Sequence, residues 1–572
     1  MRRTRDGSPA IRPYSSRVRA EAAPAGIIST MTDRWRLRTV PEDLARRYRE
    51  EGWWDDQTLG DMVATGLAAM RDEAFVVHSA VRPWRGTIGE VERDARRFAG
   101  WLAGRGIGPG DVVVFQLPNW REAAVAFWGA AYAGAVVVPV VHFYGAKELA
   151  HILEVTEPSL VVTPDRFGLL DHLVAHAGVV DARGVPWGVV SAAGNVLPPG
   201  AVAFGRLLEA APLPAPAAVD PDAPALIAFT SGTTRDPKGV VHSHRTIGCE
   251  TRQLSERMPG GAPPPITGAP VGHFIGMLSA LLGSLLRHVP INLLDVWDPG
   301  EVLRLMRDDG LGMAGGATYF LTSLLDHPDF TPEHVAAMPY AGLGGSPVPE
   351  AVTRRAAGLG ITVYRSYGST EHPSITGCRV DDPEAKRLAT DGRAMPGVEV
   401  RLDRDGQILS RGPELFVGYT DPALTSQVVD DDGWYHTGDV GVLDDDGFLT
   451  ITDRISDVII RGGENISAQE VEELVMGLDG VAEVAVVSEP DDRLGERAVA
   501  VVRVLDGRPP PTLAALRDHL AAAGLAKQKW PESIRAIAEF PRTPSGKVQK
   551  FRLRRQLRDG HLEGELPPRG GA

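Results

Sequence analysis

The most constraining feature of this chain is a run of nineteen residues without a charge, 123–141. Its length approaches the ~20 residues that span a bilayer, but its texture is that of a packed protein core. An Ala-rich, aromatic-bearing stretch reads as a buried helix ending near Gly134, and the β-branched Val136-Val137-Val138 after it read as a strand that continues to Val141. Pro139 would sit poorly inside one continuous helix. Upstream, 111–117 (DVVVFQL) reads as a strand; downstream, 146–155 reads as a helix and 160–162 as a strand. This strand–helix–strand alternation implies a layered α/β domain whose ligands lie near strand ends.

A length of 572 residues exceeds one comfortable core, so two or more domains are expected. The Pro/Ala-rich segment 211–224 reads as a connection, between domains or between subdomains. After about Arg454 the texture changes. Ser467-Ala468-Gln469-Glu470 fits a capping box opening a helix through about Met476. Strands follow at 481–487 and 498–505, then a second helix from about Thr512 to a glycine stop at Gly524. This is a small α+β domain of roughly a hundred residues.

A net charge of −14 opposes non-specific nucleic-acid binding, which needs basic surface. The two cysteines, Cys249 and Cys378, show neither a pairing pattern nor metal-ligand spacing, which suits a reducing compartment. Residues 1–30 carry Arg2, Arg3, Arg5, Arg12, Arg17 and Arg19 without an apolar run; they read as a disordered leader or an over-extended start before Met31, with a transit peptide as the alternative.

The chemistry concentrates in a few loops. The apolar strand 225–229 runs into Thr230-Ser231-Gly232-Thr233-Thr234-Arg235-Asp236-Pro237-Lys238-Gly239. Hydroxyls and backbone N–H groups donate to phosphate oxygens, glycine lets the chain approach, and lysine adds a point charge. The order is not that of a P-loop, GxxxxGK[ST], and Ser545-Gly546-Lys547-Val548 also lacks the following Ser/Thr. Further along stand Gly344-Gly345-Ser346-Pro347, Tyr367-Gly368-Ser369-Thr370-Glu371, Asp391-Gly392-Arg393-Ala394-Met395-Pro396-Gly397, and Trp434-Tyr435-His436-Thr437-Gly438-Asp439. The last third holds Asp453-Arg454-Ile455-Ser456-Asp457, Arg461-Gly462-Gly463-Glu464-Asn465-Ile466 and, between 541 and 550, PRTPSGKVQK. Taken singly, several of these are equally well explained as polar or glycine turns; Gly462-Gly463 fits a hairpin and Lys547 a solvated surface lysine.

In this order, over 87–550, the motifs resemble those of the adenylate-forming superfamily, which includes acyl-CoA synthetases, peptide-synthetase adenylation domains and beetle luciferases. The resemblance implies an α/β enzyme with a large N-terminal domain of layered α/β subdomains (31–453), a hinge (454–457), a small mobile α+β C-terminal domain (458–560) and a tail (561–572). It implies ATP and coenzyme A as co-substrates with Mg²⁺. Thr230, Ser231, Gly232, Thr233, Thr234 and Lys238 would hold phosphates. Gly344, Gly345 and Ser346 would line one face of adenine, with Tyr367 and Gly368 on the other. Thr370 would meet the α-phosphate and Glu371 the metal; an aromatic face suits a purine, and a hard cation wants carboxylate and phosphate oxygens. Asp439 and Arg454 would hold ribose, Lys547 would neutralise charge developing at the α-phosphate, and Arg461, Gly462 and Gly463 would meet coenzyme A after the small domain turns about Ser456. Three positions depart from the family pattern. Arg235 stands where glycine is usual, Asp453 replaces another glycine, and Ser456 stands where aspartate or lysine is commoner.

Pro270-Val271-Gly272-His273-Phe274-Ile275-Gly276-Met277 resembles the family's acyl-site segment. His273 would gate acid entry, Phe274 and Met277 would line the pocket, and Gly316 and Ala317 would leave room on another wall; a core histidine and a buried helix start are the structural alternatives. No aspartate is present to pair with a substrate ammonium, so an uncharged acyl chain or ring is favoured. His142-Phe143-Tyr144-Gly145 and 367–373 resemble segments of medium-chain or alicyclic acid–CoA ligases, which implies such an acid or another fatty acid. The expected protein is a cytoplasmic acid–CoA ligase, with no nucleic-acid partner and a homodimer left open. Its rivals are an acyl-AMP ligase delivering to a separate carrier protein, a luciferase-like oxidative second step, and a non-catalytic nucleotide binder.

Overall fold

The computed structural model describes residues 34–191, 196–230, 237–455, 457–461, 464–491, 493–543 and 546–562. Residues 1–30, the expected phosphate-loop positions Ser231, Gly232, Thr233, Thr234 and Arg235, the expected pivot Ser456, and Gly462 and Gly463 lie outside these residues.

The uncharged run divides as its texture implies. Helix Arg121–Tyr132 is buried from Glu122 onward, and strand Val136–Pro139 lies parallel to Val112–Phe115, with Val112 opposite Val136. The run is free of charge because the helix has no wet face. Even Glu122 is buried, held by Arg82 Nε at 3.2 Å and Nη2 at 2.9 Å. Helix Ala146–Thr156 and strand Leu160–Pro164 complete the alternation.

These strands sit at the centre of an eight-stranded sheet. In order across it run Gly418–Tyr419, Lys238–Ser243, Pro224–Thr230, Val136–Pro139, Val112–Phe115, Leu160–Pro164, Trp187–Val190 and Ala201–Ala203. The Pro/Ala segment does not divide domains, since strands on both sides of it belong to this sheet. It is a strap over two helices: Leu213 N donates to Arg96 O and Ala217 N to Tyr132 O, both at 2.8 Å. Prolines suit it because the segment leads into the strand Pro224–Thr230 and until there lies in no sheet ladder that needs every backbone N–H.

A five-stranded sheet, Gly315–Gly316, Tyr340–Gly344, Thr362–Tyr367, Thr376–Gly377 and Arg393–Ala394, carries the middle motifs. A four-stranded antiparallel sheet, Glu399–Leu402, Gln407–Arg411, Tyr435–Leu443 and Leu449–Arg454, carries the next ones. Beyond it, the long hairpin Val481–Asp491 and Gly495–Val504 forms the smaller C-terminal domain with Ser533–Ala536 and helices Ala468–Val475, Leu513–Ala522 and Lys550–Arg558. Two apolar clusters cover its two faces, one holding Val471, Leu516 and Val502, the other Val487, Val501 and Leu553. The caps behave differently. Thr512 accepts from Ala515 N as a simple N-cap, whereas the expected box at Ser467 is only half made. Ser467 Oγ accepts from Glu470 N, but the Glu470 carboxylate turns away to Lys529 Nζ at 2.6 Å, a stronger partner than a backbone amide.

Candidate active site

A cleft of about 350 Å³ opens between the two domains, and seven of the expected nucleotide-site residues converge on it. Gly345, Ser346, Tyr367, Gly368, Asp439, Arg454 and Lys547 line it, beside Thr318, Tyr319 and Arg542.

Tyr367 ends strand Thr362–Tyr367, and the chain reverses at once: Ser369 N donates to His372 O at 2.9 Å and Ile375 N to Tyr367 O at 3.0 Å. Gly368 is required in this reversal, because a Cβ there would lie 1.8 Å from the Pro373 carbonyl oxygen. The turn presents Thr370 and Glu371. Thr370 O accepts from His242 Nε2 at 2.8 Å, and Glu371 Oε1 accepts from the Tyr419 phenol at 2.7 Å.

Strand register assembles the next group. Asp439 and Arg454 are cross-strand partners on adjacent antiparallel strands, so their side chains share one face. Asp439 Oδ1 accepts from Arg454 Nε at 2.7 Å, and Oδ2 accepts from the Tyr367 hydroxyl at 2.6 Å. Both carboxylate oxygens are thus engaged by protein, and each keeps a lone pair for a further donor. Burial, then the adjacent Asp439 charge, pushes the Tyr367 phenol well above its ordinary pKa. Coulombic attraction to Asp439 raises that of Arg454.

Lys547 comes from the other domain. Its turn is closed by Thr543 N to Lys547 O at 2.7 Å and Lys547 N to Thr543 Oγ1 at 3.0 Å, with Gly546 left-handed at φ 82°. A Cβ added at Gly546 would lie 3.4 Å from the Cβ atoms of Ala317 and Tyr319, so the turn rides directly on the large domain. Arg542 anchors it, pairing with Glu483 and placing its guanidinium 4.8 Å from the Tyr319 ring centroid. Burial and then the Arg454 charge lower the Lys547 pKa to about 8, opposed by Asp439 and Glu371. Burial, then the Lys547 charge, lowers His273 to about 4, and its Nδ1 is buried without a partner.

Other expected residues lie apart from the cleft. Thr230 and Lys238 face each other across the antiparallel strands that flank the phosphate loop. His273 precedes the short helix Phe274–Met277, whose Phe274 and Met277 are buried; Gly316 pairs with Leu343, and Ala317 underlies the Lys547 turn. Gly344 closes strand Tyr340–Gly344. Arg461 is paired with Glu532 and does not line the cleft. Among the described residues no three metal-ligating side chains converge. The Glu371 carboxylate is an oxygen donor of the kind a hard cation takes.

Tyr419, His242 and Tyr319 were not singled out by sequence reasoning. Their partners are distant in the chain, 48 positions away for Tyr419 and 128 for His242, and no local spacing signals such contacts.

The AMP-binding enzyme family matches residues 68–420, and the AMP-binding enzyme C-terminal domain matches 470–547. The chain belongs to the AMP-binding enzyme family. Within this adenylate-forming superfamily it is of the acyl-CoA synthetase type. It is 31% identical to a medium-chain fatty-acid–CoA ligase of Escherichia coli over 91% of this chain and 94% of that one. It is 35% identical to a methyl-dioxo-octahydro-indenyl propanoyl:CoA ligase of Rhodococcus jostii, over 82% of this chain and 93% of that one. Among solved structures, ATP-bound MatB from Rhodopseudomonas palustris superposes with a TM-score of 0.77 at 27% identity, covering 88% of this AMP-binding enzyme and 100% of that chain. In this AMP-binding enzyme no helix among the described residues is long and apolar enough to cross a membrane.

Proposed function

We propose that this chain activates an uncharged medium-chain or alicyclic carboxylic acid with ATP and passes the acyl group to coenzyme A in the cytoplasm. One observation carries the reading: the Lys547 turn of the small domain enters the same cleft as Tyr367, Asp439 and Arg454 of the large one. The two ligases named above support the choice of acid and acceptor.

In the first half-reaction a carboxylate oxygen attacks the α-phosphorus of ATP, the bond to the bridging oxygen breaks, and pyrophosphate leaves. Thr230, Ser231, Gly232, Thr233, Thr234 and Lys238 hold the phosphates, and Thr370 meets the α-phosphate. Adenine lies between Gly344-Gly345-Ser346 and Tyr367-Gly368, and Asp439 and Arg454 take the ribose. Lys547 stands where negative charge develops, already desolvated, so its field is strong there and needs little rearrangement. Mg²⁺, held by Glu371 together with phosphate oxygens, would neutralise phosphate charge. Neutral His273 gates the acid, with Phe274, Met277, Gly316 and Ala317 around the acyl group.

In the second half-reaction the small domain (458–560) turns about the hinge at 454–457, with Ser456 as pivot, relative to the large domain (31–453). Lys547 withdraws, and Arg461, Gly462 and Gly463 meet coenzyme A. The thiol sulfur gives up its proton to solvent and attacks the acyl carbonyl, and AMP leaves with the carboxyl oxygen.

The test is pyrophosphate release from Mg·ATP over a panel of carboxylic acids, with and without coenzyme A. Acid-dependent release, with acyl-CoA formed only when the thiol is present, is the expected result. Acyl-AMP that accumulates unchanged with coenzyme A present would transfer the second step to a carrier protein. No release with any acid would overturn the reading.

A further inference from the structure

Tyr419 lies outside the motifs described above, yet it touches two of them. Its phenol donates to Glu371 Oε1 at 2.7 Å, and Lys238 Nζ stands 5.5 Å from its ring centroid. The residue is 2% exposed, and its ring packs edge-on against Phe416 with centroids 4.9 Å apart.

The surrounding backbone leaves this phenol little freedom. Strand Gly418–Tyr419 pairs with Lys238–Ser243, placing Tyr419 opposite Val240, and Thr420 N donates to Gly239 O at 2.8 Å. Tyr419 N donates to Thr425 Oγ1 at 2.8 Å, and Phe416 N donates to Glu371 O at 2.8 Å. The carboxylate and the phenol are therefore joined both through side chains and through the backbone beside them. A glutamate side chain has three rotatable bonds, and a hydrogen bond from a rigid donor to one oxygen removes most of that freedom. The second oxygen is then the one available to a cation. A lysine beside an aromatic face is likewise confined, at the strand that follows the phosphate loop.

The geometry points to Tyr419 as a positioning residue: its hydroxyl holds the Glu371 carboxylate ready for the divalent cation of the bound nucleotide, and its ring holds Lys238 beside the phosphates. This rests on the roles of Glu371 and Lys238 given under Proposed function.

The experiment measures Mn²⁺ binding to the ATP-loaded protein by electron paramagnetic resonance, with ATP binding alone measured by calorimetry without divalent cation. Tyr419→Phe keeps the ring and removes the hydroxyl. It is expected to weaken Mn²⁺ binding about tenfold, the scale of losing a partner behind a metal ligand, while ATP binding without metal is unchanged. Tyr419→Leu should weaken metal-free ATP binding as well. Thr425→Val frees the Tyr419 amide without touching Glu371 and serves as the packing control; it should leave Mn²⁺ binding unchanged whatever it does to the melting temperature. Mn²⁺ affinity unchanged in Tyr419→Phe, or lowered equally in Thr425→Val, overturns the role of Tyr419 while leaving the proposed function standing. If Glu371→Gln leaves Mn²⁺ binding intact, or the unmodified protein binds no ATP, the reading of the site falls and this inference with it.

Discussion

Lys547 carries a charge into a partly dry cleft beside Arg454, and burial followed by that like charge lowers its pKa to about 8. The role proposed for Lys547 needs the ammonium, so it should be present below about 8 and lost as pH rises through that value. The kcat/KM for ATP, which reports the free enzyme, should be level below this point and fall above it. Lys547→Arg should move the descending limb upward, because a guanidinium stays protonated. His273, lowered to about 4, is neutral throughout this window and leaves the limb to Lys547. Lys547→Ala should lose about 10²–10³ in acid-dependent pyrophosphate release. Near-normal release would remove Lys547 from the first half-reaction.

Between residues, the reversal after strand Thr362–Tyr367 does the most for the site. It carries Tyr367, Thr370 and Glu371 on one short connection, closed by Ser369 N to His372 O and Ile375 N to Tyr367 O. Gly368→Ala would drive its Cβ into the Pro373 carbonyl oxygen, so the whole turn must shift. We expect ATP affinity to fall at least about tenfold with the rest of the protein folded, since a shift of about an ångström in a positioned site costs on that scale or more. Calorimetric ATP titration beside a melting curve checks it; unchanged affinity would show that the turn accommodates a methyl group. Elements of this kind were legible beforehand because their signals are contiguous: the Val-rich strands around Arg121–Tyr132 and the Thr512 cap are written in neighbouring residues. The Ser467 cap and its helix are legible in the same way, but the reciprocal half of the box is lost because a lysine 59 positions away competes for the Glu470 carboxylate.

At the scale of the whole molecule, the Lys547 turn is held against the large domain by Gly546 on Ala317 and Tyr319, and by Arg542 between Glu483 and the Tyr319 ring. Arg542→Ala should destabilise this arrangement by about 1–2 kcal/mol, the scale of a partly desolvated cation–π contact. Under the proposed mechanism, pyrophosphate release should slow several-fold, while thioester formation from supplied acyl-adenylate, which follows the withdrawal of Lys547, should keep its rate. Equal losses in both steps would show that Arg542 serves general stability instead. The sequence alone determined the alternating α/β texture, the late change to a small α+β domain and the order of the motif loops, because each is encoded in contiguous residues through propensity, capping and turn chemistry. It left 211–224 open as a boundary, and only packing showed that segment to be a strap across Ile88–Ala103 and Arg121–Tyr132. Only the tertiary structure decided that Asp439 is shared between Arg454 and Tyr367, that Tyr419 grips Glu371, and that Lys547 reaches the cleft at all. Those contacts depend on strand register and on how two domains dock, and neither is written in the spacing of any one segment.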